Sequence, residues 1–398
     1  MLPSAPPLPP AWRRALWALL ALGLITRIVI AFATYGLPYD MDSLRIVGGL
    51  LASHPLHVYG AGRWPYPPGF FPLALGAHEL ARVTGVAFHG LVQLPAILAD
   101  AGLAWTVQRG LGSVGRGVRA RVGAAALVAL GPSFVVISGY HGQIDSVAVL
   151  PALLALLVWR GGGERRAPVA GLLVGLGAAV KTVPLFMVLA LLPTARSRRE
   201  RAILVGVAVA LPALLLVPFL AADGHSTWGA LRANHGIPGL GGPTLLVQPA
   251  LADAWLNQVP VGLHHLTASL LAHQNLLVAL GAAAAGALAW ARRMEPVEAA
   301  VIVWLAIMVA NVAPAFQYYV WLLPVLLLAG RWRVALALQA VLAVPTAQIY
   351  LGWGRSASGL YVAMTGAVWV ALVLLLAREA WRALGHPTLH RTLVTGRA

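Results

Sequence analysis

The feature that most constrains this chain is a succession of apolar runs, most near 20 residues long, separated by short clusters of arginine. Such a run crosses a bilayer as a helix, because only a helix satisfies its own backbone hydrogen bonds in hydrocarbon. Runs at 15–34, 87–107, 121–138, 144–159, 202–221, 270–291, 297–313, 318–330, 334–352 and 359–377 predict about ten crossings. Composition agrees, since 60% of the residues are hydrophobic and 10% charged, against about 45–50% and 25% in soluble domains. No core that 398 residues can build would hide that much apolar surface. The chain therefore reads as an all-α membrane protein, a single polytopic transmembrane helix bundle over 1–398. The first run lacks a small-residue cleavage site and is read as a retained span. Cysteine is absent, which removes disulfides, thiolate metal sites and Cys nucleophiles together.

The loops alternate in charge. Of the 27 arginines, 21 fall on one side, 5 on the other, and Arg27 lies within the first span. Positive charge marks cytoplasmic loops, so the rich side, both termini and the tail 378–398 are expected in the cytoplasm. The formal charge of +16 then reflects topology rather than a nucleic-acid partner. Segments 35–86 and 222–269 become large outer loops, and 69–84 is expected as an amphipathic helix on the outer surface. Segment 168–195 breaks the alternation, with arginine clusters at both ends. Its two arms are too short to span and meet at Lys181-Thr182-Val183-Pro184, which predicts a re-entrant hairpin. No internal repeat is evident.

The candidate chemistry gathers on the outer side. Asp40 and Asp42 follow the first span, and a carboxylate held against low dielectric can serve as a general base. A D-x-D pair can also hold a divalent cation, and Asp before an apolar run can simply cap a helix. Tyr140, His141, Gln143 and Asp145 crowd the short turn between the third and fourth runs, at the mouth of the bundle. Lys181 is the one lysine of the chain, and an intramembrane cation implies an anionic partner, with Asp100 and Asp145 as protein candidates. GLGAAVKT lacks the glycine before lysine that a phosphate-binding P-loop needs. Asn311, Gln317, Tyr318, Tyr319 and Trp321 form another short turn, where an interfacial aromatic belt explains the rings but not Gln317. His264, His265 and His273 match no metal-site spacing.

Taken in order, five motifs resemble the GT-C superfamily of polytopic glycosyltransferases that use polyprenyl-phosphate sugars, nearest its bacterial mannosyltransferase-like branch. They are the acidic YDMDSLR after the first span, WPYPPGFFPLALG, the turn HGQID, the Lys-x-x-Pro break in GLGAAVKTVPLF, and QYYVWLLP late in the chain. The resemblance implies a GT-C type bundle in a bacterial plasma membrane. Its implied reaction is inverting transfer of a hexose, mannose foremost, from a polyprenyl-phosphate donor to a hydroxyl of a glycan or glycolipid acceptor on the extracytoplasmic face. Asp40 is then the implied base and Asp42 a supporting acid. Asp-Met-Asp departs from the single acid or Asp-Glu of many relatives, so the choice between the two stays open, as does a Mg²⁺ or Mn²⁺ ion held by the pair. A leaving phosphate needs positive charge near the outer leaflet, which Lys181 with His141 or Arg63 can supply. Tyr66, Tyr140, Gln143, Asp145, Gln317 and Tyr318 are the candidates for sugar and acceptor hydroxyls. A secondary transporter or flippase for a lipid-linked or anionic substrate also places charges in a bundle. The absence of an inverted repeat and the contrast of large outer with short inner loops weigh against it. For a non-enzymatic scaffold the acids would be dispensable.

Overall fold

The computed structural model describes residues 3–233, 236, 238–247, 261–352 and 358–385, and every regular element among them is helical. In chain order these are α1 (Pro10–Ala33), α2 (Pro38–Ser53), α3 (Phe71–Thr84), α4 (Phe88–Ser113), α5 (Val118–Ala129) and α6 (Pro132–Val136). There follow α7 (Asp145–Gly161), α8 (Arg166–Val180), α9 (Met187–Leu191), α10 (Arg198–Arg232), α11 (Gly242–Val247) and α12 (Val261–Ala272). The last are α13 (Gln274–Ala291), α14 (Pro296–Ala310), α15 (Tyr319–Leu328), α16 (Trp332–Tyr350) and α17 (Ser358–Gly385).

Seven helical stretches among the described residues are long and apolar enough to cross a membrane: α1, α4, 118–141, α10, α13, α16 and 359–385. These account for seven of the expected runs. The other three became α7, α14 and α15, of 17, 15 and 10 residues. They are short because protein surrounds them: α14 and α15 are buried almost throughout, around Trp304 and Trp321. Helices at the rim instead turn Leu214, Leu280 and Leu374 outward, as a lipid-facing surface requires.

Two features position the site. The first is the segment 166–194, which leaves from and returns to one end of the bundle. Arg166 Nη2 donates to the Thr194 carbonyl at 3.0 Å, Arg166 pairs with Glu200, and Trp159 Nε1 donates to Thr194 Oγ1 at 2.8 Å. Fifteen residues of α8 rise roughly 22 Å, short of the ~30 Å hydrocarbon core, and the chain then turns at Lys181 in an extended conformation (φ −143°, ψ 142°). Pro184 cannot donate the bond that would continue α8. The second is α10, whose spanning part breaks at Asp223, close to 221 where the outer loop was expected to begin. At Asp223 the backbone is not helical (φ −151°, ψ 77°), and Asp223 Oδ1 accepts from the Ser226 amide at 3.0 Å, capping a second short helical piece that runs on to Arg232. The amphipathic segment 69–84 forms α3, which buries Phe71, Ala74 and Ala77 against α2 and α4. Residues 248–260 of the second large loop, the tail 386–398 and the side chain of His264 lie outside the described residues.

Candidate active site

The end of the bundle that carries Asp40 encloses a cavity of about 830 Å³. Pro38 occupies the first turn of α2, where a missing N–H costs nothing, and this sets Asp40 on the cavity wall. Opposite it, the chain between α6 and α7 forms one wide helical turn, Ile137–His141, closed by Gly142 at φ 81°. That conformation suits glycine, and a Cβ at 142 would collide with Met41 of α2. The turn presses His141 against α2, and its Nε2–H donates to Asp40 Oδ2 at 2.7 Å. His141 is buried while the Asp40 side chain stays 23% exposed, toward the cavity. The other ring nitrogen, Nδ1, has no hydrogen-bond partner among the described residues. Tyr350, at the end of α16, lies against the ring with centroids 4.3 Å apart, and its hydroxyl donates to Gln317 Oε1 at 3.1 Å.

Asp42 does not share this site. Two residues along a helix are about 200° around its axis, and Asp42 accordingly faces out. It accepts from the Tyr35 hydroxyl at 2.6 Å and pairs with the exposed Arg45 at 3.2 Å. Asp40 and Asp42 therefore do not fit a shared Mg²⁺ or Mn²⁺ ion. Among the described residues no three His, Cys, Asp or Glu side chains come together as metal ligands.

Lys181 is also placed differently from a direct phosphate clamp. It is 3% exposed and does not line the cavity. Its Nζ donates to Asp145 Oδ2 at 2.9 Å and Gln143 Oε1 at 3.2 Å, and sits 4.6 Å from the centre of the Tyr66 ring. Asp145 is fully buried, with Trp321 Nε1 donating to its second oxygen at 2.6 Å. Asp145 thus binds Lys181 rather than a ligand hydroxyl. With Gln143 Oε1 fixed by Lys181, the Gln143 amide nitrogen is left 3.5 Å from His141 Nε2 on the cavity surface.

Arg63 is the cation that lines the cavity. It sits over the Tyr39 ring at 4.3 Å, with Nη2 3.5 Å from the Tyr39 carbonyl and Nε buried without a partner among the described residues. The preceding loop is stapled by Tyr59, which donates to the Tyr66 carbonyl at 2.8 Å, and by Trp64, which donates to the Pro67 carbonyl at 3.2 Å. Burial holds the Tyr66 hydroxyl well above the usual phenol range, so it remains an O–H donor. Gln317 and Tyr318 line the same cavity, whereas Tyr140 packs into the bundle core. The sequence reading missed Tyr350, an aromatic at the end of an ordinary apolar run with no local signal. It also missed the lid-like wall of Ser226, Gly229 and Ala230 contributed by α10 beyond its kink. A carboxylate oriented by an imidazole N–H, facing a guanidinium and several neutral donors, can accept a proton from a hydroxyl while an anion is held nearby.

Residues 64–314 match the family described as glycosyltransferase family 87. No curated protein matches the chain. Among solved structures it is similar to the archaeal oligosaccharyltransferase AglB from Archaeoglobus fulgidus, in complex with an inhibitory peptide and a dolichol-phosphate. That similarity has 15% identity and a TM-score of 0.41, over 92% of this chain and 56% of AglB, so this chain spans just over half the length of that protein.

Proposed function

This chain belongs to glycosyltransferase family 87 and is a multi-pass membrane glycosyltransferase of the GT-C type, and on that premise we propose that it moves a hexose, mannose foremost, from a polyprenyl-phosphate sugar to an acceptor hydroxyl. The observation that carries the reading is the Asp40 carboxylate, held by His141 at 2.7 Å on the wall of a cavity that Arg63 also lines. In this reaction Asp40 takes the proton of the acceptor hydroxyl. The acceptor oxygen bonds to the anomeric carbon as the bond to the phosphate oxygen breaks, and the electron pair leaves with the polyprenyl phosphate. Base and leaving group act from opposite faces of the sugar, which inverts the anomeric centre. His141 orients the base, Arg63 meets the phosphate, and the Gln143, Gln317, Tyr66 and Tyr318 side chains hold sugar and acceptor hydroxyls. The acceptor is a glycan or glycolipid. The arginine bias, 21 of 27 away from Asp40, supports an extracytoplasmic cavity in a bacterial plasma membrane.

The test supplies the purified protein in vesicles with labelled polyprenyl-phosphate mannose or labelled nucleotide-diphosphate mannose, plus extracted bacterial glycolipids as acceptors. Sugar transfer with release of polyprenyl phosphate from the lipid donor alone is expected. Transfer from the nucleotide donor, or movement of the lipid donor across the vesicle with no sugar transferred, would overturn the reading.

A further inference from the structure

A second concavity lies at the opposite end of the bundle, between α16 and α17. It encloses about 610 Å³, and apart from two arginines its lining is aliphatic, including Leu338, Val341, Val368 and Leu372. Both α16 and α17 are among the stretches long and apolar enough to cross a membrane, so the groove is exposed to the bilayer. Arg333 and Arg378 are the two charged residues in its wall, and they mark one end of it. Their neighbours are engaged. Arg331 pairs with Glu298 and Glu379, Arg382 with Glu379, and Arg292 donates to the Ala383 and Leu384 carbonyls. Arg333 rests near the Trp332 ring at 5.4 Å. Neither Arg333 nor Arg378 has a carboxylate partner among the described residues, and both are exposed.

Dimensions narrow what fits. From Arg333 to Val341 the helix rises roughly 12 Å, and from Arg378 back to Ala367 roughly 16 Å, which is about half of the ~30 Å hydrocarbon core. The groove is therefore one leaflet deep, apolar along its length and cationic where the headgroups of that leaflet lie. A free phosphate would leave the aliphatic floor uncovered, and a zwitterionic lipid would set its own cation beside two unpaired guanidinium groups. We propose that this groove binds an anionic phospholipid, with one acyl chain along the α16–α17 floor and the phosphate between Arg333 and Arg378. The site is independent of the cavity around Asp40 and of the reaction assigned to it. Guanidinium groups suit it because they present paired donors to phosphate oxygens.

The experiment titrates the full chain in nonionic detergent with dioleoylphosphatidylglycerol or dioleoylphosphatidylcholine and counts bound lipid by native mass spectrometry. One retained phosphatidylglycerol per chain is expected, with phosphatidylcholine displaced readily. Arg333→Ala with Arg378→Ala should weaken phosphatidylglycerol retention roughly tenfold or more, whereas Arg198→Ala with Arg199→Ala at another exposed cluster should not. Ala371→Trp keeps both charges but fills the groove, and should reduce retention with an unchanged unfolding midpoint. Equal retention of the two lipids by the native chain would overturn the proposal. So would retention of phosphatidylglycerol that survives the paired arginine change, or indifference to Ala371→Trp.

Discussion

Two buried ion pairs bracket the turn between α6 and α7, and they are built to different ends. Arg27 and Asp100, from α1 and α4, are closed on themselves. Arg27 donates to Asp100 at 3.1 Å and also to Ser138 and the carbonyls of Gly23, Val128 and Ala129. Asp100 accepts from Ser138 on one oxygen and Ser146 on the other, so a single carboxylate grips both sides of the turn that carries His141 and Gln143. The Lys181–Asp145 pair has partners that open on the cavity, namely Gln143 and the Tyr66 ring. The first pair holds the fold of the turn. The second couples the hairpin break to the cavity surface. Burial alone does not distinguish them, since both pairs are almost entirely out of solvent; what differs is where the remaining hydrogen bonds lead.

The largest effect should come from breaking the closed pair. Arg27→Met leaves Asp100 buried without its counter-charge, which costs about 3–5 kcal/mol, and the midpoint of heat-induced unfolding in detergent should fall accordingly. Restoring neutrality with Asp100→Leu in the same chain should recover most of that loss. If Arg27→Met unfolds at the native temperature, the pair is not a clamp. Lys181→Met comes next. It frees Gln143, and a misplacement of about 1 Å at a reacting centre can cost roughly 10²-fold. We expect kcat to fall by about that factor with the donor KM changed less than about threefold. The reverse pattern, a large rise in donor KM at constant kcat, would make Lys181 a direct phosphate ligand. Tyr350→Phe removes one hydrogen bond to Gln317, worth about 1 kcal/mol, and should raise an apparent KM roughly fivefold. An unchanged KM would remove Gln317 from the ligand surface. Smallest is Asp42→Asn, an exposed change whose effect on transfer should stay within about twofold.

Much of this was legible in the sequence. The apolar runs located the long helices, and the Lys-x-x-Pro break between arginine clusters located the turn at Lys181, because a proline and a charge inside a short apolar arm leave few other solutions. The divergence of Asp40 from Asp42 follows from helical period alone, once the stretch is read as helix from Pro38. Other features needed tertiary contact. Arg27 was visible only as an arginine inside a span, because its partners come from α4, α5 and the wide turn, with Asp100 lying 73 residues away in sequence. The span to 221 was legible, but the short helical piece capped by Asp223 beyond the kink was not, because it lies within what read as outer loop. Lys181 was expected to meet a lipid phosphate or a protein carboxylate, Asp100 or Asp145; the sequence did not decide between them, and only the fold shows that Asp145 pairs with it while Gln143 Oε1 accepts a second bond. Tyr350 reaches His141 across 209 positions of chain.

The account rests on Asp40 as the group that accepts the acceptor's proton. Asn at 40 keeps an oxygen for the His141 N–H and removes only the charge, so the rate of sugar transfer by Asp40→Asn, measured beside Asp42→Asn in the same vesicles, is the most direct test. We expect Asp40→Asn to lose roughly 10²–10⁴-fold in rate at an unchanged unfolding midpoint while Asp42→Asn remains close to native. Native-like transfer by Asp40→Asn would contradict the account.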